Sequence, residues 1–152
     1  MQISSITRYP IKGFAGELLQ NTLVHSLKTL PGDRQHALQY ADRIPPSSEG
    51  WRPKKYFLQS VQTNLCSEIH IEWTSDIVHF DYHGNTFKTP RNTLDYGGLP
   101  EWISSLIPEL GEFTLETLET GFTDERDAYV SLVNRSTVSA IAEATGTSDH
   151  PE

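Results

Sequence analysis

Between Glu68 and Thr89 the chain alternates apolar and polar residues with a period of two, and this pattern constrains the fold more than any other feature. Ile69, Ile71 and Trp73 fall on one face of an extended segment, with His70 and Glu72 on the other. Thr74-Ser75-Asp76 turns the chain, Ile77 to Tyr82 repeats the alternation, His83-Gly84-Asn85 turns it again, and Thr86 to Thr89 returns. Such a segment buries one face by pairing in a sheet, so residues 68 to 89 read as an antiparallel meander.

The flanks are also mostly strand. Gln2 to Tyr9 reads as a strand ended by Pro10 and a Lys12-Gly13 turn. A second strand is expected over Glu17 to His25, with Leu18, Leu23 and Val24 as its apolar positions. Pro31-Gly32-Asp33 turns the chain into an extended stretch from Arg34 to Tyr40, and residues 41 to 53, rich in breakers, read as a mobile surface loop. Helical signals come late. Leu99-Pro100-Glu101 suits a helix start, with Trp102, Ile103, Leu106 and Ile107 on one side and Pro108 and Gly111 closing the element. Glu112 to Leu118 alternates as a strand, and so does Tyr129 to Val133. Asn134 then reads as the N-cap of a helix that turns Val138, Ile141 and Ala142 inward and ends at Gly146. The expected class is mainly β (α+β): a small antiparallel β-barrel or curved sheet with one packed helix, followed by a short strand-helix extension.

At 152 residues the chain can bury one sizeable core, and no apolar run approaches the ~20 residues of a membrane span. The first ten residues lack the basic cluster and continuous apolar stretch of a signal peptide, so a cytoplasmic location is expected. Cys66 is the only cysteine, which excludes an intrachain disulfide. It has no Gly-rich elbow or neighbouring His, and reads as a small hydrophobe in a β segment. The net charge of −8 is uneven, with +2 over residues 1 to 91 and −10 over residues 92 to 152. Neither half has the dense cationic surface that displaces counterions from nucleic acid. A small anionic ligand needs only two or three placed cations, which the first half can supply.

Few motifs carry chemistry. Among the six His residues only His79 and His83 are four apart, and they read as exposed residues in a strand beside a turn and not as the i, i+4 pair of a helical zinc site, so no metal site is assigned. There is no G-x-S-x-G elbow and no phosphate loop, and the acidic run from Glu109 to Asp127 reads as a solvated face. What remains is Lys12 in Tyr9-Pro10-Ile11-Lys12-Gly13 and Arg34 in Gly32-Asp33-Arg34, two cations beside turns that expose backbone N–H groups. The plain alternative is a pair of solvated surface cations.

Taken in order, the Tyr9-Pro10-Ile11-Lys12-Gly13 and Leu30-Pro31-Gly32-Asp33-Arg34 segments resemble the amino-terminal β-barrel domain that precedes MOSC domains. Phe122-Thr123-Asp124 and Tyr129 to Val138 look like the opening of a MOSC domain itself. The resemblance implies two units, 1–121 as the barrel domain and 122–152 as the start of the MOSC domain. It implies a molybdenum cofactor of the pyranopterin type between them. Lys12, Gly13 and Arg34 would hold its phosphate and pterin oxygens, and Asn134 and Thr137 would lie near it at a helix start, where the dipole favours an anion. Family members continue past a His-Pro-Glu like residues 150 to 152 into a segment with the cysteine that binds molybdenum, which this sequence lacks. The chain alone is therefore expected neither to retain the cofactor nor to be a competent enzyme. The implied partners are the remainder of the MOSC domain and an electron donor, with no nucleic acid and no membrane. The rival expectation is a non-catalytic interaction module that binds a protein through its acidic second half.

Overall fold

The computed structural model describes residues 2–47, 50–91, 96–127 and 129–147. The alternating segment forms the expected three-stranded antiparallel sheet: β4 (His70–Trp73), β5 (Ile77–Tyr82) and β6 (Asn85–Pro90), in the order β4-β5-β6. In register, Ile71 faces Phe80 and Phe80 faces Phe87, so the apolar alternates of all three strands share one face. Phe80 and Val78 are fully buried there. Burial of such a side chain is worth about 1.5–3 kcal/mol, enough to fix the register.

Two further antiparallel pairs complete the β structure. β1 (Ile6–Arg8) pairs with β2 (Glu17–Leu19), and β3 (His36–Tyr40) pairs with β7 (Phe113–Thr117). Single bridges connect Ile11 to His36 and Gln39 to Phe57. The class is α+β as expected, but the described strands form three small sheets and no closed barrel. Pro10 lacks an N–H and the turn at Lys12 and Gly13 bends the chain, so β1 stops after three residues and the ladder towards β3 shrinks to one bridge.

Helix α2 (Leu99–Leu106) begins after Gly98, carries Pro100 in its first turn, and inserts Leu99 and Ile103 into the core. Its Trp102 ring stacks on Phe87 at 5.8 Å, and the indole N–H donates to Asn85 Oδ1 at 3.0 Å, which ties the helix to β6. A smaller apolar cluster of Ala37, Phe57 and Phe122 lies apart from the main core. Residues 122 and 123, assigned from sequence to the second unit, are thus packed against the first.

Four expectations are corrected. The strand sought over residues 17 to 25 ends at Leu19. Leu18, Leu23 and Val24 are exposed, because this short hairpin arm has no second layer over it. Cys66 lies in a four-residue helix, α1 (Leu65–Glu68), and not in a strand, because the backbone N–H groups of Ser67 and Glu68 turn back to Asn64 O. Residues 129 to 133 join no ladder among the described residues, and Leu132 and Val133 are exposed. Helix α3 (Arg135–Thr145) has the expected Asn134 cap and a left-handed Gly146 end, yet it buries Ala142 and leaves Val138 and Ile141 exposed. The cap and the end are local hydrogen-bond chemistry and form without a partner, whereas an inward face needs a surface to pack against.

The 41–53 segment is not uniformly a surface loop. Residues 41 to 47 are mostly exposed, but Arg52 is buried and the Trp51 indole donates to Thr123 O at 2.8 Å. His83 is exposed in its turn, whereas His79 lies half-buried within β5. The chain's last five residues, including the His-Pro-Glu of the resemblance, lie outside the described residues. No helix among the described residues is long and apolar enough to cross a membrane.

Candidate functional site

The two turns that carry Lys12 and Arg34 run side by side. Arg34 N donates to Tyr9 O at 2.6 Å, His36 N to Pro10 O at 3.1 Å, and Lys12 N to His36 O at 2.8 Å. This short ladder sets the backbone of residues 9 to 12 against that of residues 34 to 36. Asp33 locks the corner: its Oδ1 accepts from Tyr9 N at 2.8 Å, and its other oxygen pairs with the Arg34 guanidinium. Arg34 itself has φ of +52°, a left-handed turn conformation costly for a non-glycine residue. Gly13 has φ of +86°, and a β-carbon there would come 3.2 Å from Leu58 O, so glycine suits the bend after Lys12 on both counts.

The segment from Gly121 to Asp124 closes over these turns. Phe122 N donates to Arg34 O at 2.7 Å, while Phe122 O accepts from Lys12 Nζ at 3.0 Å. One residue therefore bridges the two turns through its own backbone. The approach is close: a β-carbon at Gly121 would sit 2.5 Å from Asp33 O, which excludes any other residue without rearrangement. Lys12 Nζ also donates to Asp124 Oδ1 at 2.6 Å. The Lys12 side chain is 6% exposed and that of Asp124 is 59% exposed, so a buried ammonium meets a carboxylate at the surface.

That carboxylate reports on its surroundings. The hydrogen bond from Lys12 holds the Asp124 pKa below its ordinary value against an upward push from partial burial, and the charges of Lys12, Arg34 and Lys54 act in the same direction as that bond. Lys12 thus bonds this exposed carboxylate directly, and the charges of Arg34 and Lys54 bear on it. The sequence picked out Lys12 and Arg34; it gave no sign of Lys54, which comes from another part of the chain, or of Asp124 as the shared anion.

Asn134 and Thr137 take no part in this cluster. Asn134 Oδ1 accepts from Ser136 N at 3.0 Å and its carbonyl accepts from Thr137 N at 3.1 Å. Both residues are exposed, and among the described residues no hydrogen bond or ion pair links them to Lys12, Gly13 or Arg34. What the cluster can do chemically is hold an anion. An ammonium has three donor hydrogens, and Lys12 spends two of them on Phe122 O and Asp124. Among the described residues no group of three or more His, Cys, Asp or Glu is placed to hold a metal ion. Burial pushes the Cys66 thiol up to about 12, the reverse of what a thiolate ligand or nucleophile needs.

Arg52, nearby, also carries no signal in the sequence. Its guanidinium donates to Gln39 Oε1 at 2.7 Å and to Glu116 Oε2 at 2.9 Å, and lies 5.5 and 5.1 Å from the Phe57 and Phe122 ring centroids. It holds the Phe122 ring from outside while Lys12 and Arg34 hold its backbone. Its place in a breaker-rich stretch hid this role. The chain matches no family model, no curated protein and no solved structure.

Proposed function

We propose that this chain supplies one side of a pyranopterin cleft in a MOSC-type molybdenum protein, with Lys12 and Arg34 binding anionic oxygens of the cofactor. The observation that carries this reading is that cations from two separate turns act on one exposed carboxylate, Asp124. A carboxylate held at 2.6 Å by a buried ammonium occupies the kind of position a ligand phosphate takes, so Asp124 stands in for that anion. The bound cofactor would supply molybdenum-centred redox or sulfur-transfer chemistry. This chain's residues would bind and orient it, and the metal's thiolate would come from the remainder of a MOSC domain, because Cys66 is buried in α1. The exposed Val138 and Ile141 on α3 suit a helix that packs against that remainder. An electron donor would complete the assembly, in the cytoplasm.

The test is expression in a cofactor-competent host, with and without the rest of the MOSC domain, followed by pterin and molybdenum assays. Pterin is expected with the complete assembly and little with the chain alone. Lys12→Met with Arg34→Gln should lower occupancy, and Asp124→Asn should raise it by removing the competing negative charge. Stoichiometric molybdenum on the isolated chain, or occupancy indifferent to all three substitutions, overturns the reading. A second reading, a non-catalytic interaction module, is favoured by the exposed Leu132, Val133 and Ile141. It predicts a protein partner and no pterin in either preparation.

A further inference from the structure

A second set of cations lies around a cavity of about 170 Å³ whose lining includes Arg8, Gly32, His36, Trp73, Arg91 and Tyr96 but none of Lys12, Gly13 or Arg34. We propose that this cavity binds a small organic monocarboxylate with a flat apolar body, independently of the cofactor reading above.

The charge balance points to one negative charge. Arg8 and Arg91 both pair with a single carboxylate, Glu17, whose side chain is 9% exposed. Among the described residues, two guanidinium groups and one carboxylate leave a net positive charge. Burial pushes the His36 pKa down, so the imidazole adds no charge at neutral pH.

The donors point the same way. Arg8 spends its terminal nitrogens on Pro31 O, at 3.0 Å, and on Glu17. Its Nε is buried without an acceptor, and so is the indole Nε1 of Trp73, among the described residues. Unpaired buried donors are rare in folded proteins and costly to keep, and here two belong to residues lining one cavity. A carboxylate offers two acceptor oxygens. The guanidinium of Arg8 lies over Gly32, where a β-carbon would come 2.8 Å from its Nη1.

Size and walls set the rest of the ligand. The cavity of about 170 Å³ is half open and has room for a small acid. Trp73 and Tyr96 offer ring surfaces, and the His36 and Tyr96 rings meet edge to face at 4.8 Å, a wall suited to a planar group. A dianionic phosphate fits neither the single net charge nor these walls.

Benzoate is the probe. In a titration of the ¹⁵N-labelled chain followed by NMR, the Trp73 indole N–H resonance, assigned by its loss in Trp73→Phe, should shift saturably with benzoate and not with inorganic phosphate. Arg8→Lys keeps a cation for Glu17 but has no Nε–H, and should weaken benzoate about tenfold. If that variant does not fold, Trp73→Phe serves in its place, read on neighbouring backbone amides. A shift that is non-saturable, equal for benzoate and phosphate, or unchanged in affinity by the folded variants overturns the proposal. Loss of pterin in the Lys12 and Arg34 variants with benzoate binding retained would separate this site from the cofactor reading.

Discussion

Lys12 Nζ and the Asp124 carboxylate meet at 2.6 Å across 112 residues of sequence, and the lysine is the buried member of the pair. A lysine in a turn is ordinarily solvated; this one satisfies the Phe122 carbonyl from inside. As a solvated surface cation it would be replaceable without cost to the fold. The structure gives a different expectation.

Lys12→Met should destabilise the fold by about 1–3 kcal/mol, because it leaves a buried carbonyl without its donor and Asp124 without its partner. Asp124→Asn should cost less, about 0–1 kcal/mol, since that side chain is mostly in water and its amide oxygen still accepts. Urea unfolding midpoints of the two variants give the comparison. Equal and small effects would mean that the Lys12 contacts carry no net stability.

Arg52→Lys should cost about 1–3 kcal/mol. The planar guanidinium reaches Gln39 and Glu116 together and lies against two aromatic rings, and a lysine ammonium does not match that fork. The same unfolding measurement checks it, and a cost no larger than that of a surface substitution would remove Arg52 from the account of how Phe122 is held.

How much of this was legible beforehand depended on whether a signal was local. The meander over residues 70 to 90, the Pro100 helix start and the Asn134 cap follow from side-chain periodicity and short-range hydrogen bonding, which one segment displays by itself. The strand sought at Leu23 and Val24 and the inward face sought at Ile141 depend on a covering layer that no local pattern reveals. At the site, Lys12 and Arg34 stood out because glycines beside cations mark turns. Asp124 and Arg52 did not, since an acid in an acidic run and an arginine in a breaker-rich loop acquire partners only after distant segments meet.

Acid should weaken the fold through Glu17. Burial pushes its pKa up, but hydrogen bonds and charge from Arg8 and Arg91 outweigh this and hold it below the ordinary 4.5. A depressed carboxylate contributes stability that is complete above the unfolded value and is lost as pH falls through the folded one. The unfolding free energy should therefore drop as pH falls below about 4.5, and Glu17→Gln should flatten that slope, as denaturant titrations between pH 6 and pH 3 would show.

His36 acts in a higher window. Its buried ring is held neutral, with a pKa below the ordinary 6.5, so the unfolded chain takes up protons first as pH falls. Stability is complete above pH 6.5 and declines below it until the folded pKa is reached. A histidine titration by NMR should place His36 below 6.5, and His36→Asn should remove the decline. A ring that titrates at or above the ordinary value would contradict the burial seen between β3 and Tyr96.

Cys66 tests the packing of the core directly. It is 1% exposed within the main apolar cluster, beside Leu65 and Ile69, and burial raises its thiol to about 12. At pH 8 the folded protein should therefore carry almost no thiolate at this position, and what forms is shielded from reagent. Dithiobis-nitrobenzoate should leave the native chain unlabelled over hours and label it at once in strong denaturant. Because α1 is only four residues long and its end feeds directly into β4, exposing the thiol requires lifting the edge of the three-stranded sheet. The labelling rate in mild urea should then track opening of that sheet, and Lys12→Met, which loosens the Phe122 segment elsewhere, should accelerate it only as far as it lowers global stability. Rapid labelling of the native chain would place Cys66 at the surface and break the assignment of α1 to the core.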